Sequence, residues 1–96
     1  MKILKTTIRK KWFKDIATGI KTEEYREIKP YWTERLTKHY DAIQFRNGYR
    51  LDSPTMLLEY HGYSVKKILH PVTKKRISVY ALKLGRILEL KNYGKV

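Results

Sequence analysis

Cysteine is absent from this chain of 96 residues. That absence removes disulfides, thiolate metal ligands and thiol nucleophiles, and it fits a reducing compartment. Histidine is scarce and scattered: His39, His61 and His70 lack the paired spacing of a zinc site, so neither a metal nor a cofactor is expected. No stretch approaches the roughly 20 apolar residues of a membrane span, and Met1 to Phe13 is too basic and too interrupted for a secretion signal. A soluble, cytoplasmic protein without a membrane partner is expected. No serine sits in a glycine-rich elbow and no aspartate stands where it would orient a histidine, which leaves hydroxyl nucleophiles unsupported. Glu59 and His61, two apart on one strand face, could pass a proton, but nothing nucleophilic stands nearby.

Acidic residues are also few. Twenty-two lysines and arginines face nine aspartates and glutamates, a formal net charge of +13. On so small a domain that charge makes a field able to attract polyanions, nucleic acid first among them. An anionic membrane surface fits less well, because no long basic amphipathic helix is present. Hydrophobic residues make up 42% and aromatics 12% of the chain, enough to fold one modest core despite the charge. The expected organisation is one domain over residues 1 to 90 and a short frayed tail over 91 to 96. The clusters Arg9-Lys10-Lys11, Lys66-Lys67 and Lys74-Lys75-Arg76 read as loops or element ends.

Periodicity supplies the elements. Residues 2 to 8 read as a strand with Leu4, Thr6 and Ile8 on one face. Trp12, Phe13, Ile16, Ala17 and Ile20 then form the apolar stripe of a helix that Gly19 ends, which places Trp12 and Phe13 in the core. Residues 22 to 28 read as a strand, Pro30 opens a short helix to about 37, and Trp32 and Leu36, four apart, turn inward. Tyr31 and Arg35 share that spacing on the outer side. Strands are expected over 40 to 46, 55 to 65 and 76 to 90, with Asn47-Gly48 as a turn, bends at Gly62 and Gly85, and a loop over 66 to 75. The sheet should be curved or barrel-like.

The most informative segment is Gly19-Ile20-Lys21-Thr22-Glu23-Glu24-Tyr25-Arg26. Alternation sends Thr22, Glu24, Arg26 and Ile28 to one face and Glu23, Tyr25 and Glu27 to the other, so neither face is a continuous apolar one. An edge strand carrying charges against sheet-to-sheet association would explain it. A polar site would explain it equally.

Gly-x-Lys-Thr-x-Glu-x-Arg after a short amphipathic helix resembles the signature of ASCH domains, small members of the PUA-like superfamily. The likeness extends through Arg26-Glu27-Ile28-Lys29-Pro30-Tyr31-Trp32, Phe45-Arg46-Asn47-Gly48-Tyr49 and Tyr80-Ala81-Leu82-Lys83-Leu84-Gly85. It implies an α+β fold, a PUA-like curved mixed sheet or small barrel with two short flanking helices, and RNA as the ligand class. Some relatives of that kind hydrolyse an acetyl amide from modified cytidine with a lysine and a threonine of this strand and a distant glutamate. Lys21 matches that lysine. Glu24 stands at the place of that threonine, and no helical insertion for the distant glutamate is evident between Val65 and Arg76.

The resulting expectation is a nucleic-acid-binding cleft between the signature strand and the loop after Arg46. Lys21 and Arg46 would meet phosphate, and Arg26 would contact phosphate or a base edge at two points. Glu24 would orient Arg26 or accept from a base amine. Asn47 and Gly48 would offer turn amides, and Tyr31, beside Arg35, or Tyr49 would stack on a base. Two alternatives stand beside it: an enzyme, amidohydrolase or nuclease, acting on a modified nucleoside or RNA at the same cleft through Lys21, Thr22 and Glu24, and a module whose basic surface meets an acidic protein.

Overall fold

A computed structural model describes residues 1 to 95. The elements run β1 (Ile3–Thr7), α1 (Lys10–Ala17), β2 (Glu23–Glu27), α2 (Pro30–Arg35), β3 (Ala42–Arg46), β4 (Thr55–Leu69), β5 (Arg76–Lys91) and a 3₁₀ turn, Tyr93–Lys95. The five strands form one sheet in the order β1-β3-β4-β5-β2. β1 and β3 are parallel, and the remaining neighbours are antiparallel, so the sheet is mixed. A parallel pair needs a crossover, and the stretch α1–β2–α2 supplies it. The fold is thus a small α+β domain with two short helices.

The apolar pattern explains the packing. Leu4 of β1, Ile43 and Phe45 of β3, Met56 and Leu58 of β4 and Leu82 of β5 are buried, and Phe13 and Ile16 of α1 with Trp32 and Leu36 of the α2 region close over them. Pro30 occupies the first turn of α2, where its missing N–H has no partner to lose. Gly19 takes a φ of +81°, and the turn it makes brings the Lys21 N–H back to the Asp15 carbonyl at 3.0 Å. Because α1 ends at Ala17, Ile20 leaves the apolar stripe that its spacing assigned to it and is 78% exposed. Trp12 is likewise half-buried and packs at the margin of the core.

Two boundaries also differ from the sequence pattern. Residues 66 to 69, expected as loop, continue β4, and Lys66 to Leu69 pair in register with Val79 to Arg76. This end of the hairpin stands away from the core, so its sequence carries no burial signal and its backbone pairing defines it. The chain end expected to fray does not separate at 91: Lys91 still pairs with Thr55, and the Tyr93 ring stacks on Phe13 with centroids 6.2 Å apart. Val96 lies outside the described residues. The bend expected near Gly62 is present as register shifts between Leu57 and Tyr63.

The two edges of the sheet, β1 and β2, approach each other. Arg26 on β2 donates from Nη2 to the Thr7 carbonyl of β1 at 2.9 Å, and Arg35, the last residue of α2, donates to the Lys5 carbonyl at 3.2 Å. Carbonyls at an open edge need donors when water is excluded. Here two guanidinium groups supply them and draw the sheet toward closure. No helix among the described residues is long and apolar enough to cross a membrane.

Candidate nucleic-acid interface

A cleft of about 740 Å³ opens at this seam. One wall is the end of β1 and the start of α1, with Thr7, Arg9 and Trp12; the other is β2 from Glu24 to Glu27, Lys29 and Trp32; the turn Asn47 to Tyr49 closes the end. Of the residues nominated from sequence, Glu24, Arg26, Asn47, Gly48 and Tyr49 therefore come together.

Glu24 anchors the floor. Alternation along β2 puts it on the core side, opposite Leu82 of β5, and its side chain is 7% exposed. A carboxylate there is unfavourable unless both oxygens are engaged. They are: Oε1 lies 3.3 Å from the Lys21 ammonium and Oε2 2.9 Å from Arg26 Nη2. Lys21 also rests over the Trp12 and Tyr25 rings, 4.8 and 4.6 Å from their centroids, and Arg26 lies 5.1 Å from the Trp32 centroid. The polar segment is thus a cluster in which two partly buried cations flank one buried carboxylate and lie against three aromatic rings. Arg26 Nε is itself buried and has no hydrogen-bond partner among the described residues.

Lys21, Tyr31, Arg35 and Arg46 do not line this cleft. Arg46 does not reach the cleft: its guanidinium donates to the Gly48 carbonyl at 3.1 Å and to the Arg50 carbonyl, so its own turn captures it. Tyr31 and Arg35 stack on each other at 4.7 Å outside the cleft. Asn47 donates to the Ile8 carbonyl at 2.9 Å, which fixes the turn against the end of β1. Gly48 has a φ of +116°, and a Cβ there would come within 2.8 Å of Ser53 Oγ, so this turn requires glycine. Thr22 lines a separate groove of about 330 Å³ with Ile16, Leu84 and Ile87, and it does not share a cleft with Glu24.

Sequence reasoning missed Arg9, Trp12, Lys29 and Trp32 as cleft residues. For the two tryptophans the apolar periodicity pointed inward, and each does pack there while also lining the cleft. Arg9 and Lys29 flank the two helix starts and carried no signal beyond charge. No group of three or more potential metal ligands exists among the described residues. The Glu59 and His61 pair is 3.8 Å apart, and Glu59 is held by Arg86, whose backbone N–H donates to it at 2.9 Å. That hydrogen bond is the main cause lowering the Glu59 pKa. No family model, no curated protein and no solved structure matches this chain.

Proposed function

We propose that this chain is an RNA-binding module of PUA-like, ASCH-type character, and that its ligand enters the cleft beside β2. One observation carries the reading: a cleft that combines Arg9, Arg26 and Lys29 with the aromatic side chains of Trp12, Trp32 and Tyr49, in a chain of net charge +13. Cationic grooves with stacking surfaces are how single-stranded nucleic acid is held. Tyr49, 89% exposed, offers a face to a base, whereas the Trp12 ring is already covered by the Lys11 and Lys21 ammonium groups at 4.9 and 4.8 Å. Arg9 stands where a phosphate would pass, and Lys29, 3.0 Å from Glu27, would exchange that carboxylate for one. Glu24 holds Lys21 and Arg26 in place, a role that fits its two engaged oxygens better than accepting from a base amine. The enzymatic alternative draws less support, because Lys21 and Thr22 line a groove that Glu24 does not enter.

Titration with single-stranded RNA, followed by tryptophan fluorescence and by anisotropy, tests the proposal. Log affinity should fall with log salt at a slope of about 0.7 per contacted phosphate. Tyr49→Ala should weaken binding by about 1–3 kcal/mol, the worth of one stacked base, and leave the melting temperature unchanged. Affinity that ignores salt, or a Tyr49 variant that binds as the wild type does, would overturn it.

A further inference from the structure

Between Glu59 and Glu89 the sequence carries seven basic residues and no acidic one. The fold gathers five of the seven, Lys66, Lys67, Lys74, Lys75 and Arg76, at one place, the far end of the β4–β5 hairpin. Lys66 is neutralised by Glu23 at 2.8 Å. No ion pair reaches Lys67, Lys74, Lys75 or Arg76 among the described residues, and all four are exposed.

The tip between the strands is built rather than slack. The His70 N–H donates to the Lys75 carbonyl at 2.8 Å, and the Lys74 N–H donates to the His70 carbonyl at 2.9 Å. The His70 ring accepts at Nδ1 from the N–H groups of Val72 and Thr73, at 3.1 and 3.2 Å. This turn holds the three consecutive cations Lys74, Lys75 and Arg76 in a fixed place.

That place adjoins the cleft. A second hollow, of about 360 Å³, shares Trp12, Glu24, Tyr25, Arg26 and Glu27 with the first and extends to Leu69, His70 and Pro71 of the hairpin end. The two hollows thus adjoin at β2, and the second ends at the turn that carries Lys74, Lys75 and Arg76, none of which lines it.

We propose that the hairpin tip is a second contact for the same RNA: a strand seated in the cleft crosses β2 and lays its flanking phosphates against Lys74, Lys75 and Arg76. The inference rests on the RNA reading of the cleft and adds a ligand class to it, an oligonucleotide that extends beyond the few nucleotides a 740 Å³ cleft can hold. Exposed lysines without carboxylate partners suit phosphate contacts, which position a strand without reading its sequence.

The test compares fluorescein-labelled oligouridylates of three and twelve nucleotides, by anisotropy over a salt series, on the wild type and on the triple variant Lys74→Gln, Lys75→Gln, Arg76→Gln. The wild type should bind the longer oligonucleotide more tightly. The variant should lose about 2 from the salt slope and on the order of tenfold to a hundredfold in affinity at 0.1 M salt for the longer ligand, with trinucleotide affinity unchanged. Melting curves verify that the variant folds. If the trinucleotide binds and the variant keeps the full gain from length, the tip is not on the path and the cleft reading stands. If the wild type binds neither ligand, the cleft reading fails and the path with it. If a polyglutamate peptide displaces the longer ligand as well as unlabelled RNA does at equal charge, the tip is a general anion surface and the proposal is overturned.

Discussion

Glu23 and Glu24 are the same residue type at consecutive positions of β2, yet the Glu24 side chain is 7% exposed and that of Glu23 24% exposed. Strand alternation separates them. Glu24 turns toward the helices, where Lys21 and Arg26 each take one oxygen. Glu23 turns to the other face, where Lys66 reaches it across β5 at 2.8 Å and the Tyr25 hydroxyl donates to it at 3.2 Å. The consequence lies in what water can replace. Solvent can take over for Lys66 if Glu23 is lost, whereas Lys21 and Arg26 would be left as neighbouring cations with side chains only 15% and 19% exposed.

The largest effect is therefore expected at Glu24. Glu24→Ala should destabilise the domain by about 3–5 kcal/mol, the usual cost of removing one partner from a buried ion pair. Denaturant unfolding measures it directly. A loss below about 1 kcal/mol, the range of exposed pairs, would place Glu24 in the same class as Glu23 and dissolve the contrast.

Arg26 comes next. Its side chain is 19% exposed, donates to Thr7 across the seam and covers Trp32, so it belongs to the scaffold as well as to the cleft. Arg26→Ala should cost about 1.5–3 kcal/mol of stability, the worth of a hydrogen bond to a charged group, while Lys21 still neutralises Glu24. Arg26→Lys should recover little of it, since an ammonium cannot serve Glu24 and the Thr7 carbonyl as a planar fork does. Unfolding of both variants in parallel with Glu24→Ala gives the order. If Arg26→Ala were as severe as Glu24→Ala, Lys21 would not be sharing the charge.

Much of this scaffold is legible in the sequence, and the reason is specific. Leu4 and Ile8, Phe13 and Ile16, Trp32 and Leu36, and Ile43 and Phe45 repeat at the spacing of the element that carries them, because each element buries one face. In β4 beyond Val65 only Ile68 is even half-buried, so Lys66 to Leu69 carried no pattern and looked like loop. Within the site, the polarity of Glu24 and Arg26 was plain, but their burial was not. It depends on the Thr7 carbonyl, 19 residues from Arg26, and on a seam that exists only once both sheet edges are in place. Arg46 shows the opposite failure. Its charge and position suggested a phosphate contact, and two carbonyls of its own turn claimed the guanidinium first.

The smallest effect is expected at Glu23, and pH isolates it. The Lys66 hydrogen bond is the main cause holding the Glu23 carboxyl below its ordinary value of 4.5, and the same bond raises the Lys66 pKa. A carboxyl with a lowered folded pKa contributes stability that is present above its unfolded pKa and is lost as pH falls through the folded value. The raised lysine contributes stability present below its unfolded pKa and lost as pH rises through the folded one. Both contributions are therefore in place near neutrality. Glu23→Gln should remove them together: at pH 7 the melting temperature should shift only slightly, because the pair is partly solvated. Below pH 4.5 the variant and the wild type should converge. Melting curves from pH 3 to 8 decide the point. A gap that stays constant down to the most acidic samples would mean that Glu23 acts through packing or through Tyr25, and that the difference between the two carboxylates is one of position rather than of charge.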